Sequence, residues 1–113
     1  MEPMEIYIAD VPFDKGRGSK VRPALVIEIA NEKVIVFKVT SQYENKSSQI
    51  KKIYYPIKEW RAAGLKKQSY VDTHKLYRLA QSWVFSRQPI GKLTDSDRIG
   101  LFEFIKELEN NKN

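Results

Sequence analysis

Apolar and polar residues alternate through Glu5-Ile6-Tyr7-Ile8-Ala9-Asp10-Val11, and this β-rich run predicts a first strand. Pro12 to Val21 has no apolar period and holds Gly16 and Gly18 between bases, so it reads as a loop. Arg22 to Ala30 predicts a second strand. Its core, Ala24-Leu25-Val26-Ile27, is apolar on both faces, as in a buried central strand. Pro23 suits the strand's start, where no ladder donor is required. Asn31-Glu32 predicts a tight turn and Lys33 to Thr40 a third strand, so 22–40 reads as a hairpin. An unbroken register from that turn sets Arg22 opposite about residue 41.

Ser41 to Gln49 is polar and reads as a loop, and Ile50 to Ile57 as a weaker strand ending near Pro56. Lys58 to Ala63 predicts a short helix stopped by Gly64. Ser69 to Asp72 and Trp83 to Ser86 are short strand candidates. The final element is an amphipathic helix running to about Glu109. Thr94 is its N-cap, Asp95 and Asp97 lie in the first turn, and Ile99, Phe102, Ile105 and Leu108 recur at helical spacing. Short antiparallel strands followed by one helix predict a mainly β chain, a small β-barrel forming a single domain over residues 1–113.

Composition narrows the function. Apolar runs such as Ala24–Ile29 are too short to span a bilayer. The start, Met1-Glu2-Pro3-Met4-Glu5, carries acids where an export signal needs bases, so a cytoplasmic location is expected. The absence of cysteine excludes disulfides, thiolate metal sites and cysteine nucleophiles. Net charge is +6. Residues 95–113 carry five acids and three bases, so the positive excess lies in the body of the chain and a polyanionic partner is expected.

A single histidine, His74, cannot supply a two-histidine acid–base pair or a histidine-rich metal site. No P-loop, dinucleotide fingerprint or HExxH is present. What remains is a basic loop, with Lys15, Arg17, Lys20 and Arg22, and across the hairpin the polar trio Thr40, Ser41 and Gln42. A guanidinium beside a hydroxyl can grip a phosphate and stabilise charge that develops on it. Blander readings stand beside this one: Arg22 as an ion-paired edge arginine, Thr40 as an ordinary strand former, His74 as a hydrogen-bonded structural residue. Tyr43, Tyr54, Tyr55 and Tyr70 read as barrel or interface residues, or as stacking surfaces for unpaired bases. Trp60 and Trp83 read as core or interface.

Several segments, in order, resemble the MazF/PemK toxins. They are Asp10-Val11-Pro12-Phe13, Lys20-Val21-Arg22-Pro23-Ala24-Leu25-Val26-Ile27, Thr40-Ser41-Gln42, Ala63-Gly64-Leu65 through Ser69, and Ile90-Gly91-Lys92-Leu93-Thr94-Asp95. The resemblance implies an SH3-like barrel with appended helices, usually a homodimer, and an antitoxin protein as partner. It implies metal-independent cleavage of single-stranded RNA, with no cofactor, leaving 2′,3′-cyclic phosphate and 5′-OH ends. The family's catalytic arginine and threonine fall on Arg22 and Thr40. RNA contacts are expected at Lys15, Arg17, Ser19, Lys20, Ser41, Gln42, His74, Lys75 and Arg78. The chain departs from the family pattern where a late arginine is usual. Tyr77 stands there, and His74, Lys75 and Arg78 are the candidates to replace it. Two rivals remain: a non-enzymatic gyrase poison resembling CcdB, and a non-catalytic RNA-binding barrel.

Overall fold

The computed structural model describes residues 1–13, 16–84 and 87–111. In chain order the elements are β1 (Glu5–Pro12), β2 (Ser19–Ala30), β3 (Lys33–Thr40), α1 (Ser48–Lys51), β4 (Tyr54–Pro56), β5 (Tyr70–Ala80), α2 (Gln81–Val84), β6 (Gly91–Lys92) and α3 (Asp95–Asn110). The strands pair antiparallel in one sheet, ordered β4-β5-β3-β2-β1-β6. The sheet curls into a half-barrel and α3 packs on it, so the mainly β barrel architecture with a C-terminal helix holds.

Side-chain alternation gives the sheet two apolar faces. On the first, Ile6, Leu25, Phe37, Val39 and Val71 meet Ile57, Leu65, Leu93 and Leu101 from the turns and α3. On the second, Tyr7, Ala9, Val11, Ala24, Val26, Val34, Val36, Tyr77 and Leu79 meet Val84 of α2. This is why Ala24 to Ile27 reads as apolar throughout: successive residues of β2 serve different clusters.

The hairpin of β2 and β3 turns at Asn31, whose φ of 54° suits the left-handed conformation that asparagine tolerates. Its register is broken once. Ala30 pairs with Lys33, Ile29 with Val34 and Glu28 with Ile35, but Val26 pairs with Val36, leaving Ile27 as a bulge. A second break lies between β3 and β5. Val36 pairs with Tyr77 and Lys38 with Asp72, so Phe37 alone spans the stretch 73–76.

Several local expectations change. The segment 50–57 is divided between α1, capped by the Ser47 hydroxyl, and the short β4. Residues 58–64 form hydrogen-bonded turns rather than a helix. The strand expected at 69–72 extends to Ala80, because the bulge at 73–76 hides its continuation by exposing His74, Lys75 and Leu76. Trp83 belongs to α2 instead of a strand and is 65% exposed, so of the core and interface readings the core one falls. Phe85 and Ser86 of that expected strand lie outside the described residues.

The rotation of α3 also differs. Leu101 is buried, with Phe104 and Ile105 packed beside it, while Ile99 and Phe102 are exposed. Asp97 sets this rotation. It is 0% exposed and accepts hydrogen bonds from the Tyr55 hydroxyl at 2.7 Å, Lys58 N at 3.0 Å and Glu59 N at 2.8 Å. Residues 101, 104, 105 and 108 follow Asp97 along one helical face and turn inward with it. Gly64 and Gly91 let the 58–64 turns meet β6 backbone to backbone. A Cβ on Gly91 would overlap the Ala63 carbonyl, and one on Gly64 the Ile90 carbonyl.

Candidate functional site

Arg22 sits on β2 across from Ala9 of β1 and, by alternation, shares the face of Ala24. With Ile27 bulged out, the register that pairs Ala24 with Lys38 puts Arg22 level with Thr40 when continued toward the sheet's end. The face of Arg22 can then be followed across the sheet in two rungs. One runs from Arg22 through Thr40 and Tyr70 to Pro56. The next runs from Ala24 through Lys38 and Asp72 to Tyr54. Directly paired residues on antiparallel strands project to the same side, so guanidinium, hydroxyl, ammonium and phenols gather on one surface.

Two polar atoms of that surface are buried without a hydrogen-bond partner among the described residues, the Arg22 Nε and the Tyr77 hydroxyl. A buried donor without a partner costs stability, on the order of 1–3 kcal/mol, and it leaves the guanidinium with capacity to bind an anion. The Thr40 Oγ1 accepts the Gln42 N–H at 3.0 Å. That contact uses an acceptor lone pair, so the hydroxyl proton remains to donate outward. Lys38 is only 8% exposed, and its ammonium lies 5.2 Å from the centre of the Tyr77 ring. Lys75 approaches the same ring at 5.2 Å. Tyr77 is 5% exposed, and its hydroxyl is also buried without a partner among the described residues.

At the same sheet end a groove of about 510 Å³ opens on the opposite face, lined by Ile8, Pro23, Val39 and Leu65, and its rim reaches Thr40, Ser41, Lys66 and Lys67. Ser41 thus stays next to Thr40, and Gln42 contributes its backbone N–H. Ser19 and Lys20 belong to β2 rather than to a loop, pairing with Pro12 and Val11. Lys20 shares the parity of Arg22. Arg17 is exposed in the short connection closed by Phe13 N donating to Gly18 O at 3.1 Å. Lys15 lies outside the described residues.

The three candidates for the late cation are separated. His74 lines a different groove, with Phe37, Ile53 and Leu108 on the α3 side of the sheet. Arg78 pairs with Ile35, on the face opposite Tyr77. Only Lys75 reaches the Tyr77 ring on the Arg22 side. The sequence reading missed Lys38, although one signal was present: a lysine inside the otherwise apolar run from Val34 to Val39, two positions before Thr40. It also missed Lys66 and Lys67, which only the 58–69 turns bring to the groove. Among the described residues no group of three or more His, Asp or Glu side chains is placed to hold a metal ion.

The fold defines a class. The solved structure of the Mycobacterium tuberculosis toxin MazF-mt6 superposes with a TM-score of 0.67 at 21% identity, covering 94% of this chain and 96% of that one. A sequence model of the PemK-like, MazF-like toxins of type II toxin–antitoxin systems matches residues 2–107, and the chain belongs to that family. No curated protein matches the sequence.

Proposed function

We propose that this chain is a sequence-preferring endoribonuclease. In this reading it acts in the cytoplasm as a homodimer, cleaves single-stranded mRNA and is held inactive by an antitoxin protein. The observation that carries the reading is the common face of Arg22 and Thr40, with the Arg22 Nε left without a partner, in a chain of the MazF/PemK family.

The chemistry asks for no metal. The 2′-oxygen of the RNA attacks the adjacent phosphorus, forming the 2′-O–P bond as the P–O5′ bond breaks. The 2′-hydroxyl gives up one proton and the leaving 5′-oxygen takes one up, so the products are a 2′,3′-cyclic phosphate and a 5′-OH. Arg22, permanently cationic, stabilises the charge that gathers on the equatorial phosphate oxygens. Thr40 donates its hydroxyl proton in a hydrogen bond to one of them, oriented by its contact with Gln42 N. Lys38 and Lys75 add positive potential, and Lys75 takes the place of the family's late arginine. Ser19, Lys20, Ser41 and Arg17 border the strand's path.

The test is incubation of the purified protein with a long transcript in EDTA. The expected result is fragments with cyclic-phosphate and 5′-OH ends. RNA binding without cuts, or DNA breaks that require gyrase, would overturn the reading in favour of a binding barrel or a gyrase poison.

A further inference from the structure

The rung that carries Thr40 continues into an aromatic cluster. Tyr70 pairs directly with Thr40. Tyr43, three residues beyond Thr40, stacks on Tyr70 with ring centres 4.3 Å apart and planes 11° from parallel. Tyr54 closes the group, 6.4 Å from each ring. Tyr54 is buried, whereas Tyr43 and Tyr70 are half-buried, so the stacked pair forms the outer part. Since Tyr70 fills one face of Tyr43, the Lys51 ammonium, 5.0 Å from the ring centre, lies over the other. Lys51 is itself loosely held, with Glu44 at 4.0 Å.

We propose that Tyr43, braced by Tyr70, is a stacking shelf for one unpaired RNA base next to the phosphate held by Arg22 and Thr40. This rests on the ribonuclease reading above and adds a specificity-determining residue to it. Three features favour a nucleobase over an apolar or peptide side chain. A ring already stacked in parallel presents a flat π-face, which every base can cover. The cation resting on that face is on a flexible stem, so a base can displace it and leave the ammonium beside the neighbouring phosphate. And Tyr70, on which Tyr43 stacks at 4.3 Å, is one cross-strand step from Thr40, with Cβ atoms about 5 Å apart in such pairs, so a strand whose phosphate meets Arg22 has an adjacent base within reach of the Tyr43 ring. Tyr70 supports Tyr43 from beneath and acts as a positioning residue.

The experiment uses a short oligoribonucleotide with one cleavage site and a set of variants in which each nucleotide flanking the cut is made abasic. With the unmodified protein, one abasic position should raise KM about tenfold, the range for loss of one base–aromatic stack. Tyr43→Leu, which keeps an apolar side chain but removes the ring, should show that raised KM with intact RNA and no further penalty from the abasic change. Tyr43→Phe should retain the penalty. A second readout needs no variant: bound to an oligomer blocked by 2′-deoxy substitution at the cut, the base at that position should show upfield-shifted ring protons in NMR spectra. If the protein cleaves intact RNA but no flanking position shows coupling to Tyr43 and no base proton shifts, the shelf is refuted and the ribonuclease reading stands. Normal cleavage by Tyr43→Leu with weakened antitoxin binding would likewise overturn it, making the cluster a protein-docking surface. Absence of any cleavage by the unmodified protein would sink both.

Discussion

Arg22 and Thr40 share a face of the sheet because β2 holds one residue, Ile27, out of its ladder with β3. Without that bulge the turn at Asn31 would set Arg22 level with Ser41, and Thr40 would project to the other side. A one-residue change of register exchanges the two faces of a strand, so the bulge selects which hydroxyl accompanies the guanidinium.

Arg22→Ala is expected to lower RNA cleavage by about 100-fold or more, the loss typical of removing one donor that stabilises an oxyanion. Its melting temperature should not fall, since the buried Nε makes no hydrogen bond to lose and its removal relieves an unsatisfied donor. Thr40→Val should also lose most activity while Thr40→Ser keeps it. Single-turnover cleavage together with thermal melts checks all three; wild-type rates in Arg22→Ala would remove the catalytic assignment.

RNA affinity should fall as salt rises, with a log–log slope of about −0.7 for each phosphate neutralised. Lys75→Ala is expected to make that slope shallower by about one such contact. Arg78→Ala should not, because Arg78 lies on the opposite face from Tyr77. Binding titrations of an uncleavable oligomer across a salt series measure both, and a reversed ranking would contradict the placement of Lys75.

Asp97→Ala should destabilise the fold by about 2–4 kcal/mol in urea unfolding. It strands the Tyr55 hydroxyl and two backbone donors in a buried setting. A loss under 1 kcal/mol (about the contribution of a single ordinary hydrogen bond) would show that Asp97 does not fix the rotation of α3.

Gly91→Ala should cost about 3 kcal/mol or abolish soluble expression, because its methyl group would enter the Ala63 carbonyl, where backbone on both sides leaves nothing to repack. Gly16→Ala, by contrast, meets no neighbouring atom and should suffer only from its positive φ of 79°. Chemical unfolding of the pair compares the two causes directly.

Burial, and then its hydrogen bond to Glu5, pushes the Tyr7 phenol up to about 12. Burial and the bond to Asp97 raise Tyr55 as well. Both phenols are therefore held neutral by folding. The stability they contribute is full below the ordinary value of 10.0 and is lost as pH climbs through the raised folded values. Tyrosinate absorbance should show part of the phenol population ionising only above pH 11, together with alkaline unfolding. Complete ionisation near pH 10 with the fold intact would contradict this.

Much was legible in the linear chain. The alternation in β1 and β3, the doubly apolar run in β2, the Asn31 turn and the Thr94 cap are local signals, and each element covers its signal, with β2 starting earlier, at Ser19, than the expected Arg22. The Arg22 and Thr40 segments were visible as residue types with a definite chemistry. The segments that misled were those whose conformation is set from a distance. Residues 58–64 have helical composition, but Asp97 takes the Lys58 and Glu59 amides and Gly91 packs against Gly64. Trp83 has a strand former's side chain, but β5 runs straight into α2 and places it on that helix, exposed.

By itself, then, the sequence determined the first three strands and the final helix, the cationic body of the chain and the family, because these follow from side-chain period, charge and short motifs. The tertiary structure decided the two bulges, the inward face of α3, the company of Lys38 and Lys75 around Tyr77, and the stacking of Tyr43 on Tyr70 beside Thr40. Those depend on which strand pairs with which and in what register. Pairing energies between residues far apart in the chain set that, and no local pattern encodes them.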